Sequence, residues 1–336
     1  MRIWFNRGFS LAPIAGLMRA ADPALDVFVS VSPKSARYPG PTATWVDGGA
    51  EGEAGHDPEA YLAWVRATIA AHAIDLFVPT RHRAMLAAAD LPCRVHLPAS
   101  PAVLQLLDDK YTFAEVVADE DYHLPTHLVR GAADLEALIA QWPDDGAGIC
   151  VKPRNGVNGL GFWRLDDVSP MLHLQQPDWR KIQTAQYLAA LREQEARGPI
   201  DEIVAMAFLP GPEISFDILA DHGRLLKYAA RTKLANGHQH IASAHPLEPA
   251  LTAIVRRFEL HGLVNAQFRR AIDGSWKLLE INARPAGGVI YADQVGCRLV
   301  ADWAGLLTGR LTADTIDRSA IDTEVAFATV VQDLAA

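Results

Sequence analysis

The chain has 336 residues, of which 50% are hydrophobic and 21% charged, which is typical of a globular protein and excludes collagen-like, disordered and disulfide-scaffold chains. Lys and Arg number 31 against 40 Asp and Glu, so the net charge of −9 disfavours nucleic acid and anionic membranes as partners. Three cysteines lie far apart without a CxxC pair, and no apolar run approaches the roughly 20 residues that cross a bilayer. We therefore expect a cytoplasmic protein.

The first 99 residues alternate predicted strands and helices. Strands are predicted at 2–6, 26–32, 76–79 and 94–97, and helices at 10–21, 58–73 and 81–90. The Gly- and Pro-rich range 35–56 is predicted to be a loop. This alternation predicts an α/β domain with a parallel, doubly wound sheet. Its first strand is followed by the single Gly8, where a dinucleotide-binding turn has three glycines, so we expect no NAD or FAD site.

From residue 100 onward the pattern predicts α+β structure in two blocks. The first block has predicted helices at 100–118, 132–142 and 179–197, and strands at 125–129, 148–153 and 161–165. The second has predicted strands near 202–208, 213–220, 225–230, 266–271 and 277–282, and helices near 247–261 and 293–307. We predict domains at 1–99, 100–205 and 206–310, followed by a tail at 311–336.

The segment Val151–Gly161 (VKPRNGVNGLG) has a lysine at the end of an apolar strand and three glycines in the turn that follows. Backbone N–H groups of such a turn can approach a phosphate, and the Lys152 ammonium would neutralise its charge. No G-K-[ST] closes the turn, so it is not a Walker loop. The alternative is a β-hairpin whose Gly156, Gly159 and Gly161 only satisfy turn geometry.

A second polar group lies on the strand LLEINARP, residues 278–285. Residues two apart on a strand face the same side, so Glu280, Asn282 and Arg284 project together. Carboxylate and amide oxygens suit Mg²⁺, and a guanidinium can hold a phosphate with two hydrogen bonds. Gln267, on the preceding strand, would add a further oxygen. The alternative is an amphipathic edge strand with a solvated polar face.

A Pro-Gly turn separates two apolar strands at residues 209–213 (LPGPE). Glu213, directly after it, is placed to accept hydrogen bonds from ribose hydroxyls. The turn is common by itself, and its value lies in its order and spacing relative to the other segments.

Together these segments resemble the ATP-grasp superfamily, in the branch similar to carbamoyl-phosphate synthetase and biotin-carboxylase-like carboxylate–amine ligases. The resemblance covers about residues 100–310, and it implies an α/β front domain followed by a two-lobed α+β ATP-grasp domain. Five segments occur in the family's order. They are Asp109-Lys110, Val151-Lys152-Pro153 with its glycine turn, the turn ending in Glu213, Asn265-Ala266-Gln267-Phe268, and the strand with Glu280, Asn282 and Arg284.

The resemblance implies a role for each matching residue. Lys110 and Lys152 would contact the phosphates of ATP, beneath a lid formed by residues 155–161. Adenine would lie against the backbone of residues 206–209, with Glu213 on the ribose. The implied ligands of Mg²⁺, or of Mn²⁺ in its place, are Gln267, Glu280 and Asn282. Arg284 would lie beside the γ-phosphate or an acyl phosphate.

One departure from the family concerns adenine. Many relatives have an acidic residue just before the Pro-Gly turn, where this chain has the apolar Met206, Ala207 and Phe208. We therefore expect adenine recognition through backbone groups and packing.

Residues 227–245 occupy the place where the family has a large loop that closes over the phosphates. Arg231 and Lys233 can share one face towards an anionic intermediate. Three histidines follow, namely His238, His240 and His245. They are either general bases or a zinc site, or else incidental residues of a solvated loop.

The sequence thus predicts an ATP- and Mg²⁺-dependent ligase that joins a small carboxylate to an amine through an acyl phosphate. Lys152, Arg231 and Arg284 are the expected catalytic residues. The alternatives are a nucleotide-binding regulatory protein and an acid kinase that stops at the phosphorylated product. A homodimer is left open.

Overall fold

A computed structural model describes residues 1–6, 11–31, 44–47, 57–143, 146–156 and 159–326. Gly8 and residue Ser10, where the predicted helix at 10–21 begins, lie outside these residues, as do Val157 and Asn158 of the predicted lid. Within the described ranges, no helix is long and apolar enough to cross a membrane.

The chain forms two compact units. The first consists of Met1–Leu104, Ile214–Ala266 and Ile281–Ala336, and the second of Gln105–Glu213 and Gln267–Glu280. The domain limits predicted from the sequence, at residues 99, 205 and 310, stay a prediction.

A five-stranded parallel sheet lies in the first unit, as the alternation of strands and helices predicted. Its strands are β1 (Arg2–Asn6), β2 (Asp26–Val31), β3 (Thr44–Asp47), β4 (Leu76–Pro79) and β5 (Arg94–Val95), in the order β3-β2-β1-β4-β5. The accompanying helices are Leu11–Ala21, Pro58–His72 and Arg83–Ala87. Asp57 caps the second helix, since its side chain accepts a hydrogen bond from the Glu59 amide.

Side chains of β1 alternate between two apolar clusters, one on each face of this sheet. Ile3 and Phe5 pack in one cluster, which includes helix Leu11–Ala21. Trp4 points to the other face, where it stacks on Phe77 with ring centroids 4.4 Å apart. Both faces are therefore covered, as a parallel sheet requires.

The second unit contains a five-stranded sheet in the order β6-β10-β7-β8-β9. Its strands are β6 (Thr126–Val129), β7 (Ile149–Pro153), β8 (Trp163–Asp166), β9 (Lys181–Gln183) and β10 (Ile203–Ala207). All neighbours are antiparallel except β8 and β9. The helices from residue 101 to 197 are Pro101–Asp108, Lys110–Val116, Ala132–Ala140, Leu172–Gln175 and Thr184–Arg197, with a 3-10 helix at Pro177–Trp179.

The third sheet has six strands in the order β15-β14-β11-β12-β13-β16. The strands are β11 (Glu213–Asp221), β12 (Arg224–Lys233), β13 (Gln239–Ala242), β14 (Gly262–Arg270), β15 (Trp276–Asn282) and β16 (Asp322–Val325). The remaining helices are Glu248–Arg257, Val289–Gln294 and Leu299–Thr308, with a 3-10 helix at Ala313–Thr315.

Several predicted elements were wrong. Strand β3 lies within the range predicted as a loop, because it pairs with β2. The range 227–245 is not one loop, since most of it forms β12 and β13, and β12 is buried from Leu226 to Arg231. The tail contains β16, which pairs with β13.

The stretch 179–197 is helical only from Thr184, because residues 181–183 pair with β8. The predicted helix at 293–307 is two helices with Gly296, at φ 93°, between them.

Candidate functional site

A cavity of about 320 Å³ lies entirely within the second unit. One part of its lining is polar and carries both lysines of the sequence motifs, and another part is apolar. The polar part contains Lys110, Lys152, Gly156, Gly159, Arg180, Glu213, Gln267, Arg269 and Glu280. The apolar part contains Leu124, Cys150, Phe162, Met206, Phe208, Leu209 and Leu279.

Lys152 reaches the cavity from the end of β7. The register pairs Lys152 with Val204 and Cys150 with Met206, and residues two apart on a strand share a face, so Cys150 and Lys152 enter the cavity together. Burial lowers the pKa of the Lys152 ammonium from its usual value, and the nearby Glu280 carboxylate opposes this shift. Glu280 thus partly neutralises the charge of a half-buried lysine.

Lys110 is the first residue of a helix because Asp109 interrupts the predicted helix at 100–118. Asp109 has an extended backbone, and its side chain accepts hydrogen bonds from the amides of Tyr111 and Thr112. The Lys110 ammonium donates to the Gly156 carbonyl at 2.8 Å, so Lys110 contacts the glycine turn directly. Burial lowers its pKa, and Glu280 again acts in the opposite direction.

Arg154 joins these two lysine-bearing segments, a role that no motif in the sequence indicates. Its guanidinium donates to both carboxylate oxygens of Asp109, at 2.9 and 2.5 Å, and to Glu202 at 2.5 Å. Its backbone carbonyl accepts from the Lys110 amide at 3.2 Å. The start of the helix at Lys110 is therefore fixed to the end of β7.

The glycine turn requires glycine at two of its described positions. Gly159 and Gly161 have φ values of 65° and 72°, which side chains rarely adopt. A Cβ on Gly161 would also come within 2.7 Å of the Pro153 ring, whereas one on Gly156 would stay 3.6 Å from it. Gly161 therefore has both a conformational and a steric reason to be glycine.

The apolar part of the lining centres on β10 and the residues after it. Met206 is buried, and the guanidinium groups of Arg164 and Arg269 lie 4.4 and 5.5 Å from the centroid of the Phe208 ring. Burial raises the pKa of the Cys150 thiol to about 11, so this cavity residue is uncharged at neutral pH. The expected adenine surface of Met206 and Phe208 is thus apolar and well packed.

Glu213 lies in the cavity wall beside Arg269, a second residue missed by the sequence analysis. The two side chains approach to 4.0 Å, and Arg269 donates to the Gly211 carbonyl at 3.0 Å. A Cβ on Gly211 would come within 2.8 Å of the Arg270 carbonyl oxygen, so the Pro-Gly turn needs its glycine for close packing. Arg269 follows Gln267 by two residues on β14, and this spacing could have revealed it.

The predicted metal ligands are divided between the units. Gln267 and Glu280 line the cavity, and their oxygens are of the hard type that Mg²⁺ prefers. The Glu280 carboxylate raises the pKa of both lysines, so it lies near both ammonium groups. A metal ion bound to this carboxylate could also contact phosphates held by the lysines. Asn282 and Arg284 belong to the first unit, where the Arg284 amide donates to the Asn282 carbonyl at 2.8 Å. The oxygen donors of the cavity therefore fit a magnesium ion.

Arg231 lies in a buried polar network of the first unit. It donates to Asp217 at 3.3 Å and to Gln239 at 3.2 Å, and Asn265 also donates to Asp217, at 2.9 Å. Its guanidinium carbon would meet a Cβ on Gly288 at 2.3 Å, so the backbone at Gly288 packs directly on it. The catalytic role predicted for Arg231 stays a prediction.

The structure does not gather the three histidines at 238–245. His238 pairs with Glu324 at 2.5 Å and His240 with Asp322 at 2.6 Å, both on β16. The His245 amide donates to the Tyr228 hydroxyl at 2.8 Å, and His245 Nδ1 accepts from the Leu247 amide at 3.2 Å. The first two histidines are therefore cross-strand partners of carboxylates at the edge of a sheet.

Comparison with known proteins gives one family match. Residues 200–331 match a family model described as "ATP-grasp in the biosynthetic pathway with Ter operon". No curated protein matches the sequence.

Solved structures share the fold at low sequence identity. L-amino acid ligase from Bacillus licheniformis is 18% identical, with a TM-score of 0.56 over 86% of this chain and 68% of the ligase. N5-carboxyaminoimidazole synthetase from Staphylococcus aureus, complexed with ADP, is 15% identical, with a TM-score of 0.56 over 88% and 73%. The biotin carboxylase domain of 2-oxoglutarate carboxylase from Hydrogenobacter thermophilus, complexed with MgADP, ADP and bicarbonate, is 11% identical, with a TM-score of 0.66 over 92% and 69%.

Proposed function

Because residues 200–331 match an ATP-grasp family model and solved ligase structures share the fold, we propose that the chain is an ATP-dependent ligase of the ATP-grasp superfamily that activates a small carboxylate as an acyl phosphate and joins it to an amine. The observation that carries the proposal is the cavity of the second unit, where Lys110, Lys152 and Glu280 meet the glycine turn. The two ammonium groups and the backbone N–H groups of the glycine turn suit the phosphates of a nucleoside triphosphate, and the carboxylate suits its metal ion.

In this mechanism the two lysines neutralise phosphate oxygens of ATP, while the apolar part of the cavity holds the adenine ring. A substrate carboxylate oxygen attacks the γ-phosphorus, and the bond to the bridging oxygen breaks to release ADP. The amine nitrogen then attacks the acyl carbon, loses a proton and expels phosphate. Positioning and charge neutralisation supply most of the rate enhancement, so no protein nucleophile is needed.

Magnesium would be held by Gln267 and Glu280, and when bound it supplies charge neutralisation and Lewis acidity to the phosphates. Manganese has the same preference for oxygen ligands and could replace it. The resemblance assigns a third ligand to Asn282 and phosphate contact to Arg284. The names of the similar structures support this proposal, since they include an amino acid ligase and complexes with ADP and MgADP.

The test is ADP release with Mg-ATP across a panel of carboxylates and amines, with L-amino acids in both roles. With the active carboxylate and hydroxylamine in place of the amine, we expect the hydroxamate of that acid, because a strong nucleophile intercepts an acyl phosphate. Intact mass should show an unmodified protein. A mass increase that corresponds to phosphorylated protein would contradict this mechanism.

Two variants distinguish a loss of activity caused at the cavity from one caused by a general effect on the fold. Lys152→Ala should abolish turnover, whereas Lys277→Ala should leave it near the wild-type rate, because Lys277 lies on β15 and donates to the Asp121 carbonyl at 3.1 Å, away from the cavity. ATP binding without hydrolysis on the whole panel would favour a regulatory nucleotide-binding protein. A phosphorylated acid that never condenses with an amine would favour an acid kinase.

A further inference from the structure

Three metal-ligating side chains meet at one end of β11, within the first unit. Asp221 ends β11, His222 is the first turn residue before β12, and His261 directly precedes β14. One ligand atom from each residue lies within 4.8 Å of the ligand atoms of the other two. We propose that Asp221, His222 and His261 form a binding site for a transition-metal ion such as Zn²⁺, separate from the ATP-grasp chemistry.

The distances are close to those of a tetrahedral site. His261 Nδ1 is 3.4 Å from Asp221 Oδ1, and His222 Nε2 is 3.9 Å from the same oxygen. Ligand atoms that lie 2.0–2.2 Å from a tetrahedral zinc ion are roughly 3.4 Å apart. The first pair already has this spacing, and an ion there would replace the hydrogen bond that His261 Nδ1 accepts from the His222 amide at 3.4 Å. The second pair needs to close by about half an ångström.

The movement required falls on an exposed side chain. The imidazoles of His222 and His261 stack with centroids 3.9 Å apart and 15° between their planes, so the His222 ring must turn to aim a nitrogen at the ion. The His222 side chain is 79% exposed, against 24% for His261. Rotation of His222 therefore breaks little packing.

The donor set determines the kind of metal. Two imidazole nitrogens and one carboxylate oxygen suit Zn²⁺, Co²⁺ and related ions, whereas Mg²⁺ prefers oxygen alone. Three protein ligands leave one position for water.

The backbone holds the ligands in place. His222 and Gly223 have φ values of 44° and 83° and form a two-residue hairpin turn, in which the first position favours Asn, Asp or Gly over His. His261 is anchored by its amide, which donates to the Pro98 carbonyl at 2.8 Å. On its other side lies His96, with ring centroids 4.8 Å apart.

Cobalt titration tests the site without any activity assay. Co²⁺ with nitrogen ligands in tetrahedral geometry absorbs visible light far more strongly than octahedral, oxygen-ligated Co²⁺. We expect the full-length protein to bind one ion per chain with the strong absorption, and an excess of Zn²⁺ to remove it. His222→Asn should weaken binding at least tenfold, as should His261→Ala. Asparagine suits the positive φ at residue 222, so this variant keeps the turn and its loss of binding cannot be attributed to unfolding.

A matched control is His240→Ala, which also removes a histidine paired with a carboxylate of the same unit but leaves the three ligands intact. It should bind cobalt like the wild type. Absence of the strong absorption in the wild type would overturn the proposal, and so would an unchanged titration of His222→Asn. A weak, octahedral spectrum that only Glu280→Gln removes would place the ion in the nucleotide cavity and would equally overturn it.

Discussion

Replacing Arg154 with methionine tests whether one guanidinium holds the two lysine-bearing segments of the cavity together. The arginine makes three hydrogen bonds to the carboxylates of Asp109 and Glu202, and its side chain is 24% exposed. Arg130 provides a matched comparison, because it also pairs with Glu202, at 3.4 Å, but is 68% exposed. Methionine keeps most of the aliphatic length and removes every donor.

The expected magnitude follows from this difference in exposure. Hydrogen bonds to charged groups contribute roughly 1.5–3 kcal/mol, whereas exposed ion pairs contribute about 0–1 kcal/mol. Allowing for partial solvation, we expect Arg154→Met to lower the free energy of local opening by about 2 kcal/mol. This corresponds to roughly 30-fold faster amide exchange, since about 1.4 kcal/mol is a factor of ten. Arg130→Met should accelerate exchange by about fivefold or less.

Hydrogen–deuterium exchange of residues 109–116 is the assay, because Asp109 caps the amides of Tyr111 and Thr112 in this segment. Hydrogen bonding to Arg154 lowers the pKa of Asp109 to about 2. The stabilisation should therefore be complete above about pH 4 and be lost as the pH falls towards 2. Equal exchange in the Arg154→Met and Arg130→Met variants would refute the assignment.

Three further changes have defined outcomes. Gly161→Ala should lower the free energy of unfolding by about 1–3 kcal/mol in a denaturant titration, given its φ of 72° and the contact with Pro153, while Gly156→Ala should change it by less than about 0.5 kcal/mol. Glu280→Gln should raise the Mg²⁺ concentration needed for half-maximal turnover at least tenfold, which a magnesium titration of ADP release would show. Burial lowers the pKa of His96 from 6.5 to about 3 in the folded protein. The unfolded chain therefore binds a proton first, so the folded protein has its full stability above pH 6.5 and loses stability as the pH falls towards 3. His96→Gln should therefore flatten the loss of stability between about pH 6 and 4, and an unchanged pH profile would contradict the burial of this ring.

Features that depend on local pattern could be predicted from the sequence. Strand β1 was predicted with its observed bounds, and the parallel sheet followed from the alternation of apolar strands with helices. Lys152 and its glycine turn were recognisable because a strand, a lysine and closely spaced glycines are contiguous. Lys110 carries no such local signal, and only the order of the motifs pointed to it.

Features that depend on distant partners could not be predicted. The apolar periodicity continues through Asp109, and the break there reflects a side-chain cap that Arg154 supports from 45 residues away. Strands β3 and β16 have four residues each, and their pairing with β2 and β13 makes them strands. The Asp221, His222 and His261 cluster was missed because 39 residues separate its histidines and the hairpin turn alone shows only a common motif.

The discontinuous second unit has a consequence during protein synthesis. Residues 105–213 leave the ribosome before Gln267–Glu280 are made, so the sheet that carries Lys152 can form while the strand that carries Glu280 does not yet exist. At that stage two lysines lie near each other without the carboxylate that opposes their charge, beside apolar side chains such as Met206 that still lack Leu279 as a neighbour. We therefore expect a nascent chain of this length to expose cationic and apolar side chains that the later strand covers, and arrest of translation before residue 267 to leave them exposed.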